Sequence, residues 1–216
     1  RFSQPIGVNY RENKVYTHGP PSGGGIVLLT ALKVLEYFDL GQIGNNSALT
    51  YHLLAEALRR GHNNRSHHVG DPSFYNVPYD DLMSDERIRE FAKSISLKKA
   101  SAAREIKPLE IIQESKNTTH YSIVDEDGNA VSNTYTLGYS FGSGVTIPGT
   151  GILMNNQMNN FAYQHGNKKI EGRGASPGNK YEPGKRPMST MAPTIVFDEN
   201  DKLFLITGSP GGKLIP

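Results

Sequence analysis

TTHYSIVDEDGNAVSNTYTL, residues 118–137, changes the period of the chain. Apolar and polar residues alternate on both sides of Asp127-Gly128, the dipeptide that favours a tight antiparallel turn, so the stretch predicts a β-hairpin. The threonines Thr118 and Thr119 follow Asn117 at the head of its first strand. A hydroxyl there serves equally as β-surface decoration or as a nucleophile that works only once the chain is cut before it.

Upstream of the hairpin the pattern is helical. After the turn GPPSGGG (residues 19–25), residues 26–40 place Ile26, Leu29, Ala31, Leu32, Leu35 and Phe38 near helical spacing. A second helix is predicted over residues 47–60 with Ser47 as N-cap, and a third after Ser84, where acidic residues in the first turn suit the helix dipole. GDPSFYNVP between the last two reads as loop. Downstream, GILMNNQM reads as a third strand, and APTIVFDENDKLFLITGS as a second hairpin turning at Glu199-Asn200-Asp201. Residues 162–187, rich in Gly, Pro, Lys and Asn, form a long connection read as a functional flap or a partly disordered segment. No internal repeat is present.

Composition narrows the chemistry. The 23 Lys and Arg barely exceed the 21 Asp and Glu and are scattered, so the electrostatic footprint of a nucleic-acid binder is absent. With no cysteine, thiolate metal sites, disulfides and a cysteine nucleophile are excluded. No apolar run reaches the ~20 residues needed to span a bilayer, and Arg1-Phe2-Ser3 does not begin a signal peptide. His62, His67 and His68 lack an acidic partner at ligand spacing and read as solvated residues beyond a helix end. GPPSGGG lacks the Lys-Ser/Thr pair of a phosphate loop and reads as a tight helix entry. GSPGG (residues 208–212) follows a strand, where its backbone serves either as a plain turn or as N–H groups aimed at an oxyanion.

Taken in order, PPSGGG, NRS, GDPSF, TTHYS, TYTL, NNQM, KRP, PTIV and TGSPGG resemble the gamma-glutamyltranspeptidase family of N-terminal-nucleophile hydrolases. The resemblance implies an α+β fold, the αββα sandwich, of which this chain holds only part. It implies cleavage between Asn117 and Thr118, leaving residues 1–117 as the end of a large subunit and residues 118–216 as a β-rich small subunit headed by Thr118. Thr136 then supports the nucleophile, Gly211 and Gly212 supply the oxyanion amides, Ser189 and Thr190 hold the donor carboxylate, and Gln157 lines the α-amino pocket.

A self-processing amidohydrolase or acyltransferase follows, taking a γ-glutamyl or related acyl-amide donor and a water or amine acceptor. No metal or organic cofactor is implied, and the family's setting is periplasmic or extracellular. The contrasting expectation is an unprocessed homologue that binds a ligand or partner without turnover. The family's donor-binding arginine is expected upstream of Arg1. Two positions depart from the family pattern: Gly138 replaces an asparagine after TYTL, and Asn160 replaces the aspartate that pairs with the donor's ammonium. An asparagine brings no charge, so the departures predict a glutaryl-like acyl group without the α-amine.

Overall fold

The computed structural model describes residues 2–102, 117–163, 171–172, 176–212 and 215–216. Its elements in order are β1 (Ile6–Tyr10), β2 (Asn13–Thr17), α1 (Gly24–Leu35), α2 (Leu40–Ile43), α3 (Ala48–His68), α4 (Tyr79–Leu82) and α5 (Asp85–Lys93). Then follow β3 (Thr118–Val124), β4 (Ala130–Thr136), β5 (Ala162–Tyr163), β6 (Glu171–Gly172), β7 (Thr194–Phe197) and β8 (Leu203–Thr207). Two short 3-10 turns, Gln157–Asn160 and Pro177–Asn179, complete the list.

A four-stranded antiparallel sheet of order β1-β2-β7-β8 joins strands from both ends of the sequence. The β1–β2 hairpin corrects the helical reading of residues 1–117. Its two alternating runs are joined at Arg11-Glu12, which is not a recognised hairpin dipeptide, and Arg11 takes φ +54° where glycine or asparagine is the usual occupant. The hairpin β7–β8 forms as its turn residues predict, with Asp201 at φ +59°.

One face of the sheet is buried against α1 through Val15, Val196 and Leu29. The far side of α1 packs on α3 and α5, where Val34, Leu35, Leu53, Ala57, Ile88 and Ala92 form the largest apolar cluster among the described residues. Leu53 has no exposed surface, and truncating such a leucine to alanine costs about 2–5 kcal/mol. The predicted caps are in place: Ser47 Oγ accepts from the Thr50 N–H at 3.1 Å and Ser84 Oγ from the Arg87 N–H at 3.4 Å. Each such cap contributes about 1 kcal/mol.

Helix α3 continues past the predicted end at Arg60 to His68. Gly61 does not break it but lets it close on α1, where a Cβ at position 61 would meet the Val27 carbonyl at 2.5 Å. Asn64 and Arg65 are therefore buried helical residues, and the three histidines are half-buried on the last turns rather than solvated beyond them. On the opposite edge of α3, buried Glu56 binds Arg60 at 2.6 Å and the Ser101 N–H at 3.1 Å. Burial opposes ionisation of Glu56, but Ser101 and Arg60 outweigh it and hold the carboxyl at about 2.

The hairpin β3–β4 forms as predicted, with Gly128 at φ +83° in its turn. Ser132 ties it to the sheet, donating to the Thr207 carbonyl at 3.0 Å and accepting from the Thr194 N–H at 3.1 Å. GILMNNQM is not a strand. It folds back on the preceding turn through an isolated bridge, Thr146 to Leu153, and ends in the 3-10 turn Gln157–Asn160. Left-handed Gly149, two residues before the stretch, and Gly151, its first residue, set a reversal, which a short apolar run cannot reveal. Of the long connection read as a flap, residues 164–170 and 173–175 lie outside the described residues. In the part from Ser176 to Met188, Ser176 and Asn179 have no exposed surface and Met188 only 2%, while Tyr181, Glu182, Pro183 and Gly184 between them are exposed.

Candidate active site

The hairpin register sets Thr118 opposite Thr136 at the open end of β3 and β4. This follows from a turn at residues 125–129 with seven residues on either arm, so the sequence alone brings the two hydroxyls together. Thr136 Oγ1 donates to the Asn117 carbonyl oxygen at 3.0 Å, and accepts from the Gly138 N–H at 3.0 Å. A hydrogen-bond relay thus ends on the carbonyl of the Asn117–Thr118 peptide, and each bond in such a chain polarises the next.

Around this point a narrow polar cleft gathers Thr118, Thr136, Gly138, Gln157, Asn160, Ser189, Thr190 and Gly212. Those are eight of the nine predicted catalytic and substrate-binding residues. Gly211 is not on its wall; it takes φ +132° and Gly212 φ +61°, backbone shapes open to glycine. A larger cavity of about 620 Å³ lies elsewhere, against Tyr16, His18, Ile195 and Phe197, and holds none of the predicted residues.

One wall carries hydroxyls. Ser189 and Thr190 run beside the turn before α1: the Ser189 N–H donates to the Pro21 carbonyl at 3.1 Å, and the Gly23 N–H to the Ser189 carbonyl at 2.9 Å. Ser22 Oγ donates to the Met191 carbonyl at 2.5 Å. Contact is so close that a Cβ at Gly24 would fall 2.1 Å from the Thr190 carbonyl oxygen. The GPPSGGG turn is therefore more than a helix entry, since its missing side chains make room for this wall. Asp71 of GDPSF fixes the same segment from the other side, accepting from Arg186 N at 2.9 Å, Nε at 3.1 Å and Nη2 at 2.7 Å. Burial works against the Asp71 charge, and the Arg186 bonds outweigh it, holding the carboxyl well below the usual carboxylate range.

The other wall carries amides. Asn160 Nδ2 donates to Gln157 Oε1, while Asn156 Oδ1 accepts from the Tyr139 N–H at 3.0 Å. Gly138 stands at φ +93°, and a Cβ there would lie 1.8 Å from Asn156 Oδ1. The Gly138 departure is thus matched by the seat of Asn156.

Two features escaped the sequence reading, one on the cleft wall and one on the strand that carries Thr118. Arg65 is 2% exposed and is the one ionisable side chain on the cleft wall among the described residues. NRS carried it, but placing the helix end at Arg60 hid its direction. His120 shares a face of β3 with Thr118, contacts Thr134 Oγ1 at 2.8 Å and Ser122 Oγ at 3.1 Å, and packs on Gly208, where GSPGG begins. Its place two residues after Thr118 was the available signal. Among the described residues no group of His, Asp or Glu is arranged to hold a metal, and no helix is long and apolar enough to cross a membrane.

Known proteins are similar to the chain over nearly all of its length. The chain is 42% identical over 212 residues to the glutathione hydrolase proenzyme of Escherichia coli strain K12, covering 98% of this chain and 36% of that protein. It is 35% identical over 220 residues to the acylase ACY 1 proenzyme of Pseudomonas sp. strain SE83, covering 98% and 36%. The crystal structure of cephalosporin acylase from Bacillus halodurans superposes with a TM-score of 0.75 at 29% identity, over 99% of this chain and 35% of that one. The chain therefore spans a little over a third of the length of these relatives, and its mixed helix–sheet fold is part of the N-terminal-nucleophile hydrolase fold they share. The family model described as gamma-glutamyltranspeptidase matches residues 1–216 throughout, and the chain belongs to that family.

Proposed function

We propose that the chain carries the self-processing catalytic centre of an amidohydrolase or acyltransferase, which cleaves a γ-glutamyl or related glutaryl-like amide through an acyl-enzyme on Thr118. The observation that carries this reading is the 3.0 Å bond from Thr136 Oγ1 to the Asn117 carbonyl oxygen, on the peptide that links Asn117 to Thr118. In the uncut chain, Thr118 Oγ attacks the Asn117 carbonyl carbon and Thr136 stabilises the oxygen that gains charge. The C–N bond breaks, its nitrogen takes a proton to become the free α-amine of Thr118, and water hydrolyses the resulting ester. Residues 1–117 end the large subunit and residues 118–216 begin the small one.

The freed amine, with an ordinary pKa near 8, then serves as base for the same hydroxyl. Thr118 Oγ attacks the donor's acyl carbon, the proton passes through the amine to the leaving amine, and the oxyanion is met by the Gly212 N–H, on the cleft wall, with Gly211 shaping the turn that presents it. Water or an amine acceptor attacks the ester and regenerates Thr118. Ser189 and Thr190 hold the donor's carboxylate.

Relatives named both as glutathione hydrolases and as acylases occur in this family, so membership leaves the donor open, and the reading between them rests on the chemistry of the cleft. Among the described residues of the cleft wall Gln157 and Asn160 are neutral amides and Arg65 is the one ionisable side chain, so none of them offers a negative charge to an ammonium. This favours a dicarboxylic half-amide over a γ-glutamyl amide.

Intact-mass measurement of the purified protein tests the scheme. A new N-terminus at Thr118 is expected, Thr118→Ala stays uncut and inactive, and Thr136→Ala is cut about 10²-fold more slowly, the scale for losing one oxyanion donor. Full activity from a chain continuous through Asn117 would overturn the free-amine mechanism, whereas a chain that stays uncut and turns over neither amide would leave the reading as a binding module.

A further inference from the structure

The two walls of the cleft are linked by one buried side chain that does not line it. Asn179 has no exposed surface and ends the turn Pro177–Asn179. Its Nδ2 donates to the Asn160 backbone carbonyl at 2.8 Å, and its Oδ1 accepts from the Met188 N–H at 2.8 Å. Asn160 closes the amide wall, and Met188 immediately precedes the hydroxyls of Ser189 and Thr190. A single planar amide thus bridges the backbones behind both walls. Asparagine is suited to this because it carries a donor and an acceptor at fixed separation, and of the natural side chains only the longer glutamine also offers both on an amide.

We infer that Asn179 is a positioning residue that sets the distance between the amide and hydroxyl walls, and with it which acyl donors the cleft accepts; this rests on the function proposed above. The reacting carbonyl is held by its acyl tail, so a shift of one wall misplaces it. A displacement near 1 Å costs as much as 10²-fold in turnover. Wall spacing acts on the recognised end of the donor, not on the relay from Gly138 through Thr136 to Asn117, which Asn179 does not touch. Self-cleavage and donor choice should therefore separate in variants at this residue.

Two variants of the intact protein divide the bridge. Asn179→Asp retains the acceptor for the Met188 N–H and loses the donor to Asn160, releasing the amide wall alone. Asn179→Gln retains both groups and lengthens the span by one methylene. Ser176→Ala is the control: Ser176 Oγ accepts from the Gly178 N–H at 3.2 Å and supports the same turn without touching either Asn179 bond.

The measurements are kcat and KM on a glutaryl amide and on the matching γ-glutamyl amide, with intact mass for cleavage at Thr118. Both Asn179 variants should be cut normally and should change the ratio of the two kcat/KM values by about 10-fold, mostly through kcat. Ser176→Ala should lower Tm and leave that ratio within about twofold. An unchanged ratio in a folded Asn179→Asp or Asn179→Gln protein, or an equal change in Ser176→Ala, overturns the spacing role while the catalytic reading stands. A wild-type protein that turns over neither amide overturns both.

Discussion

The hydroxyl wall and the amide wall line the same cleft but are built differently. Residues 185–191 are fixed from behind by the turn before α1 and from the side by the Asp71–Arg186 pair, and Met188 is 2% exposed. The segment from Gly138 to Asn160 has few such ties: Phe141, Val145, Ile152, Met154 and Met158 are all exposed, and four of its glycines beyond Gly138 are left-handed. Both positions that depart from the family pattern, Gly138 and Asn160, fall on this second wall. A wall with little packing behind it can change its chemistry at small cost in stability. The hydroxyl wall is bound into the core and is hard to alter without loss of the fold.

Filling the space behind the hydroxyl wall should therefore have the largest effect. Gly24→Val puts a branched side chain where even a Cβ would lie 2.1 Å from the Thr190 carbonyl oxygen, and that neighbour is backbone that cannot rotate away. Overpacking of this kind costs about 1–3 kcal/mol or more, and displacement of Ser189 and Thr190 should lower kcat/KM by at least about 10²-fold. A variant with wild-type Tm and activity would show that the wall is not held by this contact.

The Asp71–Arg186 pair tests the same wall through charge. Asp71→Asn leaves Arg186 without its carboxylate, and because Asp71 has no exposed surface while Arg186 is 38% exposed, the cost should be about 2–3 kcal/mol. The sign of the pH dependence follows from the lowered carboxyl. Its stabilisation is complete above the ordinary carboxylate range near 3.8 and is lost as pH falls through its lower folded value. Chemical denaturation from pH 7 down to about 3 should show wild type keeping most of this advantage over the variant. An advantage that disappears already near pH 5 would mean that the pair is not formed in the folded protein.

Legibility in the sequence follows the same division. The pairing of Thr118 with Thr136 was readable, because Asp127-Gly128 and strict alternation fix both turn and register. Ser189, Thr190 and Gly212 were readable only through their resemblance to a family, since a hydroxyl pair or a glycine turn carries no signal of what it faces. β1 and β2 were missed because Arg11 holds a left-handed turn without a turn-forming residue type. Arg65 and Asn179 were missed because burial of a polar side chain is decided by what packs over it: α1 approaching Gly61 in one case, the turn Pro177–Asn179 in the other.

On the amide wall the expected change is in choice rather than in stability. Asn160→Asp supplies the carboxylate that the family pattern places opposite a donor ammonium. Gln157 can keep its hydrogen bond by turning its amide, so that Nε2 donates where Oε1 had accepted. Stability should move by no more than about 0.5 kcal/mol, as for a half-buried position with its partner retained. A hydrogen bond to a charged group contributes roughly 1.5 to 3 kcal/mol, so the ratio of kcat/KM values should shift toward the γ-glutamyl amide by about 10- to 100-fold. Restoring asparagine at Gly138 as well should not add to this. Its Cβ would lie 1.8 Å from Asn156 Oδ1 at φ +93°, so Asn156 would have to leave the Tyr139 N–H, and the double variant should lose stability that the single one keeps. The deciding measurements are both kcat/KM values and Tm for wild type, Asn160→Asp and the double variant. A wild-type protein that already prefers the γ-glutamyl amide by about a hundredfold would mean that the ammonium is recognised by a charge away from this wall, and that the exposed wall does not set the donor.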